Sequence, residues 1–305
     1  MVAPLARDGS KPGHEDRDET ETPEAPARHP PRRSPLDRVR GGRSIAPARR
    51  AALNPMPALL PLSRREVGVV AVLVAGAGAW WLLPHIPQPQ SYHDFTDRRV
   101  LLGVPNFADV VSNLAFVAVG LLGLWRVQTG GRSLLPAVRS SMNVFFAGML
   151  LTGFGSAYYH WSPVDQTLVA DRIPITIAFA GTFGALLAER VSPRSGLAVM
   201  LLMLVVGPAS VFYWKDTGDL SLYGTLQFGG MLGVLLVLTL TPKGRDPFPW
   251  WTLLAWYAVA KVAESEDVAI WQATNGLAGG HVFKHLAAAM GGLAIANALR
   301  RPARR

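Results

Sequence analysis

The chain has 305 residues, of which 50% are hydrophobic and only 17% charged, and its net charge is +9. Soluble domains carry about a quarter charged residues, so this composition indicates a membrane protein. The basic residues lie mainly near the two ends and in short loops. Membrane proteins distribute charge in this way, so the net charge does not predict nucleic-acid binding. The sequence contains no cysteine, which excludes disulfides and thiolate sites.

The N-terminal region, residues 1–62, differs in composition from the rest of the chain. It is rich in Pro, Arg, Asp and Glu and has few aliphatic runs. Such a segment cannot bury enough apolar surface to fold, so we predict a disordered tail. The first apolar run comes too late for a signal peptide. Residues 300–305 form a short basic tail at the other end.

Eight apolar segments follow the tail, each close to the roughly 20 residues that cross a hydrocarbon core. Because successive segments lack a charged face, we predict membrane spans rather than core helices of a soluble protein. The seventh is the weakest, since Lys261 and Glu264 interrupt it. The predicted fold class is therefore an all-α membrane protein. The spans are residues 66–83, 107–126, 142–161, 168–189, 196–214, 221–240, 249–265 and 281–299.

Loop charges predict the orientation of these spans. With the basic tail inside, Arg and Lys concentrate in every second loop and acidic residues in the loops between, as the positive-inside rule requires. Eight spans then place both termini in the cytoplasm. His160, Asp171, His281 and His285 all fall at non-cytoplasmic span ends, so we predict one site near that face of the membrane.

Three histidines of this group suit a metal. His281 and His285 are four residues apart, which puts both imidazoles on one face of a helix. His160 closes a much earlier span. Ionisable side chains in spans are costly and mark functional sites. Three imidazoles without thiolates suit Zn²⁺ and leave one coordination position for water.

Two further residues suit hydrolytic chemistry beside such a metal. Asp171 opens the span after His160 and has the right character for the general base that takes a proton from water. Ser156 lies one helical turn before His160 and is placed to stabilise an oxyanion or to hold that water. The alternatives are a salt bridge of Asp171, for instance with its neighbour Arg172, and a serine that bonds its own helix.

These five positions resemble the signature of the alkaline ceramidases, which belong to the CREST superfamily of seven-span membrane hydrolases. The pattern is Ser156-x-x-x-His160, then Asp171 eleven residues after that histidine, then His281-x-x-x-His285. The resemblance covers roughly residues 92–299, and residues 105–114 are similar to the start of the family's first core span.

The resemblance implies a fold and an activity. It implies a seven-helix catalytic bundle over residues 92–299, with segment 66–83 as an extra N-terminal transmembrane helix. The three histidines would bind zinc, and the serine and aspartate would assist attack of water on an amide. The implied function is an intramembrane amidase that hydrolyses the N-acyl bond of a ceramide-like membrane lipid to a sphingoid base and a fatty acid, without an obligate protein partner. The alternatives are a hydrolase of another acyl lipid, a seven-span receptor or lipid-binding protein with a structural zinc, and an ion or proton transporter.

Two acidic segments depart from the family pattern. The family carries a calcium-binding cluster before the first core span, and four residues occupy a comparable region here, with Asn106 in place of a family glutamate. They form a candidate Ca²⁺ site, with a solvated acidic loop as the alternative. The segment from Glu264 to Asp267 has no place in the family mechanism and is expected to pair with Lys261 or to form an acidic loop. The candidate calcium residues are Asp94, Asp97, Asn106 and Asp109.

Overall fold

The computed structural model describes residues 61–243 and 248–299, and this part of the chain is helical without a named β-strand. The tail predicted over residues 1–62 lies outside it except for the last two residues, as does the basic tail 300–305. The helices are α1 (Arg64–Leu82), α2 (Phe107–Ser112), α3 (Leu114–Thr129), α4 (Pro136–Trp161), α5 (Asp165–Arg190), α6 (Pro193–Thr217), α7 (Ser221–Gly224), α8 (Gly230–Leu240), α9 (Trp250–Ser265), α10 (Asp267–Ala273) and α11 (Gly280–Ala298). A π-helical turn, Thr225–Gly229, joins α7 to α8.

Every predicted span coincides with helix, but not every helix has the composition of a span. Within the described ranges, five helical stretches are long and apolar enough to cross a membrane, which supports a membrane protein; the count of seven plus one is not established by them. Three of the predicted spans are outside this set, namely those formed by α4, α9 and α11, and α9 is also short, with 16 residues. They carry the histidines and the buried ion pairs described below, and such residues lower the apolarity of a helix. The five stretches are Arg64–Leu82, Phe107–Thr129, Asp165–Arg190, Pro193–Thr217 and Ser221–Leu240.

Helix α1 lies at the periphery. Its first turn is a capping box, in which the Ser63 amide donates to the Glu66 carboxylate and the Glu66 amide donates to the Ser63 hydroxyl. Glu66 is the buried residue of this helix and pairs with Arg194 at the start of α6. The rest of α1 exposes valine, leucine and tryptophan side chains. Near its other end the Trp80 indole donates to the Ser221 hydroxyl (3.1 Å). This pattern is typical of a helix that faces lipid and is attached near both ends.

Small residues bring α4 and α5 close together. The two helices are joined by three residues and are therefore antiparallel neighbours. A Cβ added at Gly148 would lie 2.4 Å from the Ala178 amide nitrogen, and one added at Gly155 would lie 1.9 Å from the Ala170 carbonyl oxygen. Helices in lipid associate through such close backbone approach. This contact sets the distance between the side chains at the α4–α5 turn.

The segment between α1 and α2, residues 83–106, forms a strap across one end of the bundle. The Ile86 amide donates to Asp219 (3.0 Å), His93 contacts the Tyr159 hydroxyl (2.9 Å), and the Thr96 hydroxyl donates to Asp267 (2.6 Å). Burial alone would raise the pKa of the Asp219 carboxyl, but hydrogen bonds from backbone amides and hydroxyls lower it to about 2. The strap therefore closes the end of the bundle at which α4 stops and α11 begins.

Candidate metal centre

The strap end of the bundle gathers the three histidines. His160 comes from the last turn of α4, and His281 and His285 come from the first turns of α11. The ring centre of His160 lies 5.1 Å from that of His281 and 4.9 Å from that of His285. The ring centres of His281 and His285 are 5.8 Å apart. All three side chains are buried. The fold thus brings together residues that are more than a hundred positions apart in the chain.

The rings suit a zinc ion in spacing and in donor chemistry. Zinc–nitrogen bonds are about 2.0–2.1 Å long, so three imidazoles around a tetrahedral ion have ring centres roughly 5 Å apart. His160 Nδ1 and His285 Nε2 are buried without a hydrogen-bond partner among the described residues, and buried polar atoms normally have one. In the described part of the chain, however, no group of three or more His, Cys, Asp or Glu side chains already has the geometry to hold a metal ion. Filling the site therefore requires the rings to rotate.

Asp171 and Ser156 line a cavity together with His285. Asp171 is buried in the second turn of α5, and Ser156 is buried near the end of α4. The close approach of Gly155 to Ala170 places these two residues opposite each other. Asp171 makes no ion pair with Arg172 among the described contacts, so the salt-bridge alternative does not hold for this structure.

Supporting contacts fix the histidines, and the sequence did not reveal them. The Ser112 hydroxyl lies 2.7 Å from His285 Nδ1, which leaves Nε2 as the nitrogen available to a metal. The Asp267 carboxylate accepts the His281 backbone amide (2.9 Å) and so caps the start of α11. Metal-binding histidines commonly form a hydrogen bond with the ring nitrogen that does not bind the metal, as Nδ1 of His285 does here. A serine and an acid many residues away carry no local signal of such a role.

The acidic residue Glu264 belongs to a buried ion-pair network beside the histidines. Its carboxylate contacts Lys284 (2.6 Å) and Lys261 and accepts a hydrogen bond from the Tyr92 hydroxyl (3.3 Å). The expected pairing with Lys261 is therefore present, whereas Lys284 was missed. Lys284 Nζ also lies 3.2 Å from His281 Nε2. Burial raises the pKa of Tyr92, which lies in the strap, to about 12, so its hydroxyl remains a donor.

An apolar cavity of about 710 Å³ opens onto this cluster. Its walls include aromatic and aliphatic side chains of α5, α9 and α11 and the π-helical turn. Its polar lining includes Ser156, Asp171, Arg172, Lys284 and His285. Ligand pockets typically measure roughly 300–1,000 Å³ and are mostly apolar with a few placed polar groups. The cavity therefore has the size and lining for an amphiphile whose polar part faces the histidines.

Two of the candidate calcium residues are occupied by arginines. Asp94 is exposed and pairs with Arg98 (3.1 Å), and Asp97 is buried and pairs with Arg99 (2.6 Å). An ion pair satisfies these oxygens and competes with a cation for them. The structure therefore does not present Asp94 and Asp97 as free ligands.

The other two candidate calcium residues differ from each other. Asn106 has a left-handed backbone (φ 45°), and its side-chain amide donates to the His160 carbonyl oxygen (2.8 Å). Asn106 thus supports the histidine cluster. Asp109 is buried, and both of its carboxylate oxygens lack a partner among the described residues. The calcium site stays a prediction, for which Asp109 is the residue with free donor atoms.

Comparison with known proteins identifies no relative. No protein-family model, no curated protein and no solved structure matches the chain. The class that the fold defines is therefore an α-helical membrane protein with a buried cluster of histidines at one end of its bundle.

Proposed function

We propose that this protein is a zinc-dependent amidase embedded in a membrane, which hydrolyses the N-acyl bond of a ceramide-like lipid. The observation that carries this proposal is the meeting of three buried histidines with Asp171 and Ser156 at the polar end of an apolar cavity. The choice of an amide lipid rests on the resemblance of these five residues to the alkaline ceramidases.

The chemistry follows from the roles of the individual side chains. His160, His281 and His285 would hold zinc, which when bound supplies a positive charge that polarises the amide carbonyl and makes water more acidic. Asp171 takes a proton from the attacking water while the water oxygen bonds to the acyl carbon. It then returns the proton to the nitrogen as the C–N bond breaks.

The products of this step are a free amine, here a sphingoid base, and a fatty acid. The Ser156 hydroxyl lines the same cavity as Asp171 and would donate to its carboxylate, which would fix the orientation that proton transfer needs. The apolar walls of the cavity bind the hydrocarbon chains and keep competing water away from the reacting amide. The chain thus supplies binding, orientation and proton transfer.

The test combines metal analysis with lipid mass spectrometry on protein purified in detergent. We expect about one zinc per chain, release of sphingoid base and fatty acid from ceramide, loss of this activity with a chelator, and its return when zinc is restored. His285→Ala removes one of three ligands and should lose both zinc and activity. His85→Ala is the matched control, because His85 is exposed and contacts only the Thr217 carbonyl oxygen among the described groups.

Two outcomes separate this proposal from its alternatives. Zinc that is retained by the His285→Ala variant would rule out the histidine site. Stoichiometric zinc without hydrolysis of any acyl lipid would instead identify a receptor or lipid-binding protein with a structural metal. Hydrolysis of ester lipids but not of amides would keep the mechanism and change the substrate.

A further inference from the structure

Arg172 is a buried cation without a counter-ion. It is only 5% exposed, and it makes no ion pair with any carboxylate in residues 61–243 and 248–299. Its Nη2 donates to the Gln88 side-chain oxygen (2.6 Å), whereas its Nη1 is buried and has no hydrogen-bond partner there. Leaving a buried charge unpaired is costly. Within membrane proteins such residues mark sites that bind a substrate or an ion.

An aromatic cage holds the guanidinium group in place. Its central carbon lies 4.1 Å from the ring centre of Trp214, 4.9 Å from that of Tyr223 and 5.6 Å from that of Tyr92. Cation–π contacts of this kind stabilise a desolvated arginine. Ring faces, unlike oxygen atoms, offer no strong hydrogen-bond acceptor to the guanidinium N–H groups. The cage therefore accounts for the burial of Arg172 but leaves Nη1 without an acceptor.

The cavity beside Arg172 has an excess of positive charge. Among its described lining residues, three are basic (Arg172, Lys261 and Lys284) and two are acidic (Asp171 and Glu264). Glu264 is shared by the two lysines, and Asp171 makes no ion pair in the described part of the chain. Neither carboxylate thus contacts Arg172. Arg172 is thus the basic residue of this described lining that makes no ion pair.

We propose that Arg172 is an anion-binding group of the cavity that holds an anionic oxygen group of a lipid, either a carboxylate such as that of the fatty-acid product or a phosphate. A guanidinium N–H in a water-poor site makes a strong hydrogen bond to such an oxygen. Arg172 follows Asp171 directly in the chain and lines the same cavity. The anionic group would therefore bind close to the reacting bond. This inference rests on the proposed function for the reaction, but the binding itself can be tested without turnover.

The experiment uses three probes, each with a single hydrocarbon chain and no amide or ester bond for the enzyme to hydrolyse. Palmitate, hexadecyl phosphate and hexadecanol have the same chain and differ in the head group. Their affinities are measured for the purified full-length protein in micelles. We expect the two anionic probes to bind more tightly than hexadecanol. The probe that binds better identifies the carboxylate or the phosphate as the preferred source of the anionic group.

Variants assign this preference to Arg172. Arg172→Gln should lower the affinity for the anionic probes about 10- to 100-fold, which is the effect of losing one charge-assisted hydrogen bond. It should lower the affinity for hexadecanol less than about 3-fold. Arg172→Lys keeps the positive charge but lacks the planar guanidinium group, so the affinity for the anionic probes should fall about 3- to 10-fold. Arg139→Gln makes the same chemical change 21 residues before His160 on α4, about 30 Å away along the helix, and should change nothing.

Three results would overturn the proposal. The first is equal affinity of the unmodified protein for hexadecanol and the anionic probes. The second is an anion preference that survives Arg172→Gln, which would place the anion on the metal site. The third is an equal loss of affinity for all three probes in both Arg172 variants, which would make the arginine a structural residue. None of these results depends on whether ceramide is hydrolysed.

Discussion

The close contact between α4 and α5 gives the sharpest test of how this fold builds its site. A Cβ added at Gly155 would lie 1.9 Å from the Ala170 carbonyl oxygen, where ordinary contact begins at 3.4 Å. The obstacle is backbone and cannot move aside alone, so Gly155→Ala must separate the two helices by about 1.5 Å or distort them, at a typical overpacking cost of about 1–3 kcal/mol. Because Gly155 precedes Ser156 and Ala170 precedes Asp171, the same movement separates the two side chains.

We expect two measurable effects of Gly155→Ala. A loss of about 2 kcal/mol lowers the Tm of a domain of this size by roughly 4–8 °C. A displacement of about 1 Å near the reacting groups lowers kcat by about 100-fold. The assays are thermal unfolding in micelles and hydrolysis of the amide lipid. Gly233→Ala is the matched control, since a Cβ added there lies more than 4 Å from any other group. The alanine also has a higher helix propensity than glycine, by about 0.5–1 kcal/mol.

The two glycine variants are compared directly. If Gly155→Ala melts at or above the temperature of Gly233→Ala, the α4–α5 contact does not limit stability, and the argument from close packing is wrong. If its stability falls but its turnover stays intact, the placement of Ser156 opposite Asp171 is not important for the reaction.

Three further predictions concern the base, acid stability and topology. Asp171→Asn should keep most of the zinc and lower the hydrolytic activity about 10²-fold or more, whereas Ser156→Ala should lower it about 10- to 10³-fold. Metal analysis and kinetics check both variants. An equal loss of zinc in the two would make these residues ligands or structural supports. The folded pKa of Asp219, about 2, lies below its usual value, so its stabilisation is complete at neutral pH and is lost as the pH falls toward 2. Asp219→Asn should therefore lower the Tm more at neutral pH than at about pH 3, and a constant difference would contradict this. A reporter active only in the cytoplasm should work after Arg305 and fail near Asp97, and silence at the C-terminus would reject the eight-span topology.

The sequence by itself determined the helices and part of the site. Long apolar runs have one stable conformation in lipid, because an unpaired backbone polar group there is too costly, so each predicted span coincides with helix. The i, i+4 spacing likewise fixes His281 and His285 on one face of α11, since helix geometry is local. The presence of ionisable residues in apolar segments was equally readable, which is why Asp171 in α5 and the two histidines in α11 were candidates before any fold was known.

Only the tertiary structure decided what these residues contact. The hydroxyl of Ser112 reaches His285 across 173 positions of sequence, and Arg172 meets Gln88 across 84. The sequence made Arg172 a candidate partner of its neighbour Asp171, but successive helical residues point in different directions, and the packing of the strap and α6 placed the arginine in an aromatic cage instead. Such contacts depend on which helix faces are buried against each other, and that is a property of the assembled bundle rather than of any one segment.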